Sequence, residues 1–123
     1  TEGLAAAAPD VPFLCDLRRA VSLVDSYPYA EVVQYLHTHR DAVYQALATL
    51  DHFYGVHLAR TATAPSLWSV ALMDQVCPPS TVYAAYNAWA GEKRIVEYPF
   101  NGHEGGGPFH EREKLAFLHT VLD

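Results

Sequence analysis

An aspartate and a histidine in the second half of the chain, Asp74 and His103, have the residue types and the setting for a proton relay. Asp74 follows an apolar run, Ser66 to Leu72. His103 lies in the loop Asn101-Gly102-His103-Glu104-Gly105-Gly106-Gly107, just beyond a second run, Arg94 to Tyr98. An unperturbed imidazole titrates at about 6.5, which suits a general base. A carboxylate that accepts its Nδ1 proton holds one tautomer and stabilises the imidazolium. The glycines tolerate positive φ and let the ring project. Taken singly, Asp74 could be a loop cap and His103 an exposed loop residue. Their separation by one strand–helix–strand unit brings both to one edge of a sheet, which weighs against both plainer roles.

A nucleophile to complete the relay is missing from these residues. Ser22, Ser26, Ser66, Ser69 and Ser80 all lack the glycine-flanked G-x-S-x-G turn. Pro78-Pro79-Ser80 reads as a helix start whose hydroxyl satisfies a first-turn backbone donor. Cys15 and Cys77 form no C-x-x-C and read as buried, reduced thiols, as in a cytoplasmic protein. His37 and His39 point about 200° apart on a helix. His52, His57, His110 and His119 show no ligand spacing either, so no metal or other cofactor is expected.

The elements that must position Asp74 and His103 follow from pattern. Gly3 to Ala8 suits a helix end or a short buried strand. Asp10 to Leu14 suits a strand terminus, because two prolines exclude a helix interior. Three helices follow. The first runs from about Asp16 to Val24, and the second starts at Pro28 with Val32, Val33 and Leu36 inward. The third is capped by Asp41, with Val43, Leu47 and Leu50 inward, and ends over Phe53 to Val56. After a connector, Thr61 to Pro65, comes the buried strand Ser66 to Leu72. Pro79 opens a helix in which Val82, Ala85, Tyr86 and Trp89 share a face, with Gly91 as its stop. The strand Arg94 to Tyr98 precedes a last helix, Phe109 to Leu122, with Leu115, Leu118 and Leu122 inward. Strand–helix–strand–helix alternation implies a parallel sheet with helical cover. Acid then histidine, each just past a strand, is the order of the α/β-hydrolase triad. The fold class expected is therefore α/β, the C-terminal part of an α/β-hydrolase fold (a parallel sheet with helices on both faces), with the three helices before it.

Composition limits the partners. The chain has 123 residues, half of them hydrophobic, enough for one domain with a real core. A complete α/β-hydrolase needs roughly twice that length. A net charge of −6 argues against nucleic acid and anionic membranes. No run approaches the roughly 18 apolar residues of a membrane span. The first residues lack the basic and apolar regions of a signal peptide.

Longer motifs carry a resemblance. Val11-Pro12-Phe13-Leu14-Cys15-Asp16-Leu17-Arg18-Arg19-Ala20, Asp25-Ser26-Tyr27-Pro28-Tyr29-Ala30-Glu31, Met73 through Asn87 with Asp74-Gln75-Val76-Cys77-Pro78-Pro79-Ser80, and Asn101 through Gly107 closely resemble the acetyl xylan esterase / cephalosporin C deacetylase family. The resemblance implies removal of acetyl groups from xylo-oligosaccharides or cephalosporin C, with no cofactor. It implies Asp74 as triad acid, His103 as triad base, and Phe13 and Val76 as lining of a small acyl pocket. Residues 16–58 would be the helical insertion that covers the site, and 65–123 the last strands and helices. It also implies an intracellular, cytoplasmic protein that assembles as a hexamer. The family's G-x-S-Q-G-G motif precedes the part of the enzyme seen here. The chain is thus expected to work with its own N-terminal portion and to be inactive alone. A non-catalytic assembly module is the competing reading, since half a parallel sheet exposes an open strand edge.

Overall fold

The computed structural model describes residues 3–123. Its sheet contains two parallel strands, β1 (Ser66–Ala71) and β2 (Lys93–Tyr98), in register from Ser66 opposite Lys93 to Ala71 opposite Tyr98. The backbone of residues 7–9 runs along the other side of β1. There the Leu67 N–H donates to the Ala7 carbonyl and the Ser69 N–H to the Pro9 carbonyl, each at 3.0 Å. Paired on both sides, β1 has all six residues buried, which explains why it reads as a continuous run rather than an alternation. Among the described residues, β2 is paired on one side only, and it is half-exposed. Of the two readings of Gly3 to Ala8, no helix end forms, and the segment meets β1 at Ala7 while staying exposed or half-buried. The extended pairing ends at Pro9, and Asp10 to Leu14, expected as a strand terminus, form a bend.

The crossover helix α5 (Pro79–Ala88) packs as its apolar face predicts. Val82 and Ala85 are buried against β1. Tyr86 and Trp89 meet the Trp68 ring edge-on, at 6.0 and 5.5 Å between centroids. Gly91 is not the stop of this helix, which ends at Ala88 with Trp89 as its cap. Glycine is needed there for a close approach. A Cβ would lie 2.6 Å from the Thr63 carbonyl carbon, and the Gly91 N–H donates to the Ala62 carbonyl at 3.0 Å.

Between the bend and β1 lies an all-helical excursion. It holds α1 (Leu17–Leu23), α2 (Ala30–Thr38), α3 (Val43–Leu50) and a short α4 (Gly55–Ala59) that the periodicity did not announce. Asp16 caps α1, accepting the Arg19 N–H at 3.0 Å. Asp41 makes no such cap. It sits in a 3-10 turn, Arg40–Ala42, whose Ala42 N–H already donates to the His39 carbonyl. Leu17, Ala20, Tyr29 and Tyr54 form a second core cluster inside the excursion.

The last helix, α6 (Gly107–Leu122), departs most from expectation. Leu115 and Leu122 are each 58% exposed, and Leu118 is half-buried. The face turned to the sheet is the neighbouring stripe of His110, Lys114, Phe117 and Val121. Lys114 donates to Asp10 at 3.1 Å and His110 is fully buried. A polar anchor, not the leucine row, chose the rotation of the helix.

Leu67 is fully buried in β1. Leu67→Ala should lower stability by about 2–5 kcal/mol in urea unfolding, and Leu115→Ala should stay within about 0.5 kcal/mol. Equal losses would mean that α6 buries its leucines.

Candidate active site

Two loops leave the C-terminal ends of β1 and β2, where open α/β sheets place their sites. Backbone bonds join them: the Leu72 N–H donates to the Tyr98 carbonyl and the Met73 N–H to the Asn101 carbonyl, both at 3.1 Å. Asp74 turns inward at once. Its Oδ1 accepts the N–H groups of Val76 (2.7 Å) and Cys77 (2.9 Å), which closes the turn leading to α5. Its Oδ2 lies 3.0 Å from Nδ1 of His103. The Asp74 side chain has no exposed surface, whereas that of His103 is 49% exposed. The sequence pair is thus brought together with one partner fixed inside and the other facing out. With Nδ1 engaged, Nε2 is the nitrogen left for proton transfer at the surface.

The loop that carries His103 is braced from below. Glu104 accepts from the Asn101 amide at 3.0 Å and from the Gly102 N–H at 3.1 Å. Its own backbone N–H, then these two donors, hold its carboxyl below the usual range. Sequence reading passed over Glu104, although its position three residues after Asn101 is the available signal.

Phe13 and Val76 lie beside the acid turn. The Tyr29 hydroxyl donates to the Val76 carbonyl, and the Tyr29 ring packs 5.9 Å from that of Phe13. Burial pushes the Tyr29 hydroxyl far above its ordinary range, so it remains a donor. Phe13 is 45% exposed and stands between two non-glycine residues in left-handed conformation, Val11 (φ 35) and Leu14 (φ 56). Each such residue costs on the order of 1–3 kcal/mol unless its surroundings hold it. Here the Val11 N–H donates to Ser69 Oγ at 2.8 Å, and the Leu14 carbonyl accepts from Gly55 at 2.8 Å.

Among the described residues, one group of possible metal ligands gathers: Asp74, Cys77 and His103, with ligand atoms within 4.8 Å of one another. The set is chemically compatible with zinc. Burial first, then Asp74 and Cys15, push the Cys77 thiol up to about 12, which opposes the thiolate that a nucleophilic cysteine requires. Ser80, expected to satisfy a backbone donor, instead accepts from Arg19 Nε at 2.7 Å and ties α1 to α5. None of the serines bonds to His103. A hollow of about 540 Å³ lies elsewhere, between α2 and α3, and contains neither Asp74 nor His103.

A parallel sheet that carries an acid and then a histidine past successive strands defines an α/β-hydrolase. The fold likeness extends to remote members. The acylaminoacyl peptidase of Pyrococcus horikoshii superposes with a TM-score of 0.65 at 14% identity, over 98% of this chain and 20% of that one. Residues 1–121 match the family model described as acetyl xylan esterase (AXE1), and the chain belongs to that family. It is similar to the acetyl xylan esterase of Paenibacillus sp. R4, with 39% identity and a TM-score of 0.88 over 95% of this chain and 38% of that one. It is also similar to acetyl xylan esterase 1 of Thermoanaerobacterium sp. JW/SL YS485, with 32% identity and a TM-score of 0.84 over 93% and 37%. The chain therefore spans less than two-fifths of the length of either esterase.

At about pH 8, a thiol held near 12 is ionised about a thousandfold less than a free one. Iodoacetamide should therefore label Cys77 and Cys15 at least ~10³ times more slowly in the folded chain than in urea. Rapid labelling of Cys77 alone in the folded chain would reopen a thiolate role.

Proposed function

We propose that this chain supplies the acid and the base of a Ser–His–Asp triad in an acetyl esterase acting on acetylated xylo-oligosaccharides or cephalosporin C. One observation carries the reading: the buried Asp74 carboxylate 3.0 Å from Nδ1 of the half-exposed His103, in a member of an esterase family. A serine from outside these residues attacks the acetyl carbonyl while His103 Nε2 takes its proton. Asp74 keeps Nδ1 protonated and stabilises the imidazolium. The tetrahedral intermediate collapses, His103 returns the proton to the departing alcohol, and the acetyl group stays on the serine. A water activated by His103 then releases acetate. Phe13 and Val76, joined through Tyr29, form one side of an acyl pocket suited to a group as small as acetyl. The rest of the esterase covers the outer leucines of α6, and the complete molecule is an oligomer.

The alternative of an assembly module without catalytic part draws on the exposed side of α6, where Leu115 and Leu122 lie open. The Asp74–His103 bond favours the catalytic reading, because assembly alone does not call for a buried acid aimed at an exposed imidazole.

The chain alone should hydrolyse p-nitrophenyl acetate no faster than free imidazole, since losing a triad nucleophile costs on the order of 10⁶ in rate. Co-folding it with the portion of the Paenibacillus sp. R4 esterase that it does not match should give phosphonate-sensitive turnover. His103→Ala should then remove at least ~10⁴ of that rate. Phosphonate-blocked turnover by the chain alone, or a reconstituted activity indifferent to His103, would contradict the proposal.

A further inference from the structure

We infer that Tyr98, Gly106 and His110 are positioning residues that set the height of the His103 loop above Asp74, with the Tyr98 ring as the floor on which the loop rests. The inference rests on the reading of Asp74 and His103 as acid and base, and adds what holds the base in place.

Tyr98 ends β2 and is bound three ways. Its carbonyl accepts the N–H groups of Leu72 (3.1 Å) and Asn101 (3.4 Å), so its backbone belongs to the seam between the two site loops. Its hydroxyl lies 3.0 Å from Nδ1 of His110. Its ring meets the His110 imidazole edge-on, with centroids 5.6 Å apart at 88°. His110 has no exposed surface, and its Nε2 finds no partner among the described residues. Burial keeps that imidazole below its ordinary range, and hence neutral and able to share a proton with the Tyr98 hydroxyl. A ring tied to a fully buried group cannot swing aside without breaking the bond.

Gly106 lies directly on this ring. A Cβ there would fall within 2.5 Å of the Tyr98 Cε atoms, where ordinary contact needs at least about 3.4 Å. Gly105 closes the other side: with φ +59, it has Asp10 Oδ1 and Val11 Cγ1 each 3.3 Å from where a Cβ would stand. The turn that carries His103 spans these supports, with the Gly105 N–H donating to the Gly102 carbonyl at 3.0 Å. The ring is held from beneath, so a methyl group at Gly106 must lift the turn by about 1 Å. A hydrogen bond of 3.0 Å stretched by that much is lost. Glycine at 106 is therefore a requirement of the dyad's geometry and not only of the chain's turn.

The imidazole tautomer reads this out in the chain as it stands. A free neutral imidazole favours Nε2–H, whereas a donor bond to Asp74 requires Nδ1–H. Long-range ¹H–¹⁵N spectra of neutral His103 should show Nδ1–H in the unmodified chain. Its absence there would refute the acid–base reading itself, whatever supports the loop. In Gly106→Ala, the Nδ1–H to Nε2–H ratio should fall at least ten-fold while the amide spectrum of β1 is kept. Gly102→Ala is nearer His103, but its Cβ would meet only Glu104 Oε2 at 3.2 Å, so the ratio should hold. Should Gly106→Ala not fold, Tyr98→Ala removes the floor without adding bulk and should also lower the ratio at least ten-fold. A folded Gly106→Ala or Tyr98→Ala that keeps the unmodified ratio, or a Gly102→Ala that loses it equally, would overturn the inference.

Discussion

A carboxylate with no exposed surface must find all its partners inside the protein, and Asp74 finds three within two loops. Two are the backbone N–H groups of Val76 and Cys77, and the third is Nδ1 of His103. Burying a charge costs several kcal/mol, while bonds to charged groups contribute about 1.5–3 kcal/mol each. Removing any one of the three leaves a buried carboxylate short of a partner. The loops are therefore fixed relative to each other wherever the carboxylate is buried. The fully buried β1 fixes where Asp74 starts, and the β2 register fixes where the His103 loop starts.

The helical excursion depends on the same turn. Tyr29 reaches from the start of α2 to the Val76 carbonyl, and Arg19 reaches from α1 to Ser80. The strained bend at Val11 and Leu14 carries Phe13 toward that point and is held by bonds to β1 and to α4. Strain kept beside a candidate site, and secured from two directions, is where a fold spends stability on geometry.

The parts of this arrangement that were legible in the sequence are those fixed by local pattern. β1 shows as an apolar run because it is paired on both sides, and the buried face of α5 shows in the spacing of Val82, Ala85, Tyr86 and Trp89. Asp74 and His103 stand out because each follows a strand. What escaped is set by tertiary bonds. The leucines of α6 had the right period, but the Asp10–Lys114 bond and buried His110 turn another stripe inward. Asp41 resembled a helix cap until a 3-10 turn supplied the needed acceptor. Gly91 reads as a helix stop and Gly106 as a loop glycine, yet the carbonyl of Thr63 and the ring of Tyr98 are what require them. A close approach between segments distant in sequence leaves no periodic trace.

Replacing Asp74 by Asn tests the central interaction most directly. The amide oxygen of Asn can still accept from Val76 and Cys77, but its NH₂ then faces His103 and can only donate. In long-range ¹H–¹⁵N spectra of the folded Asp74→Asn chain, neutral His103 should change from Nδ1–H to Nε2–H, with the amide signals of β1 and α5 kept. A His103 tautomer identical in the two chains would show that the buried carboxylate does not orient the histidine, and the account would fail at its base.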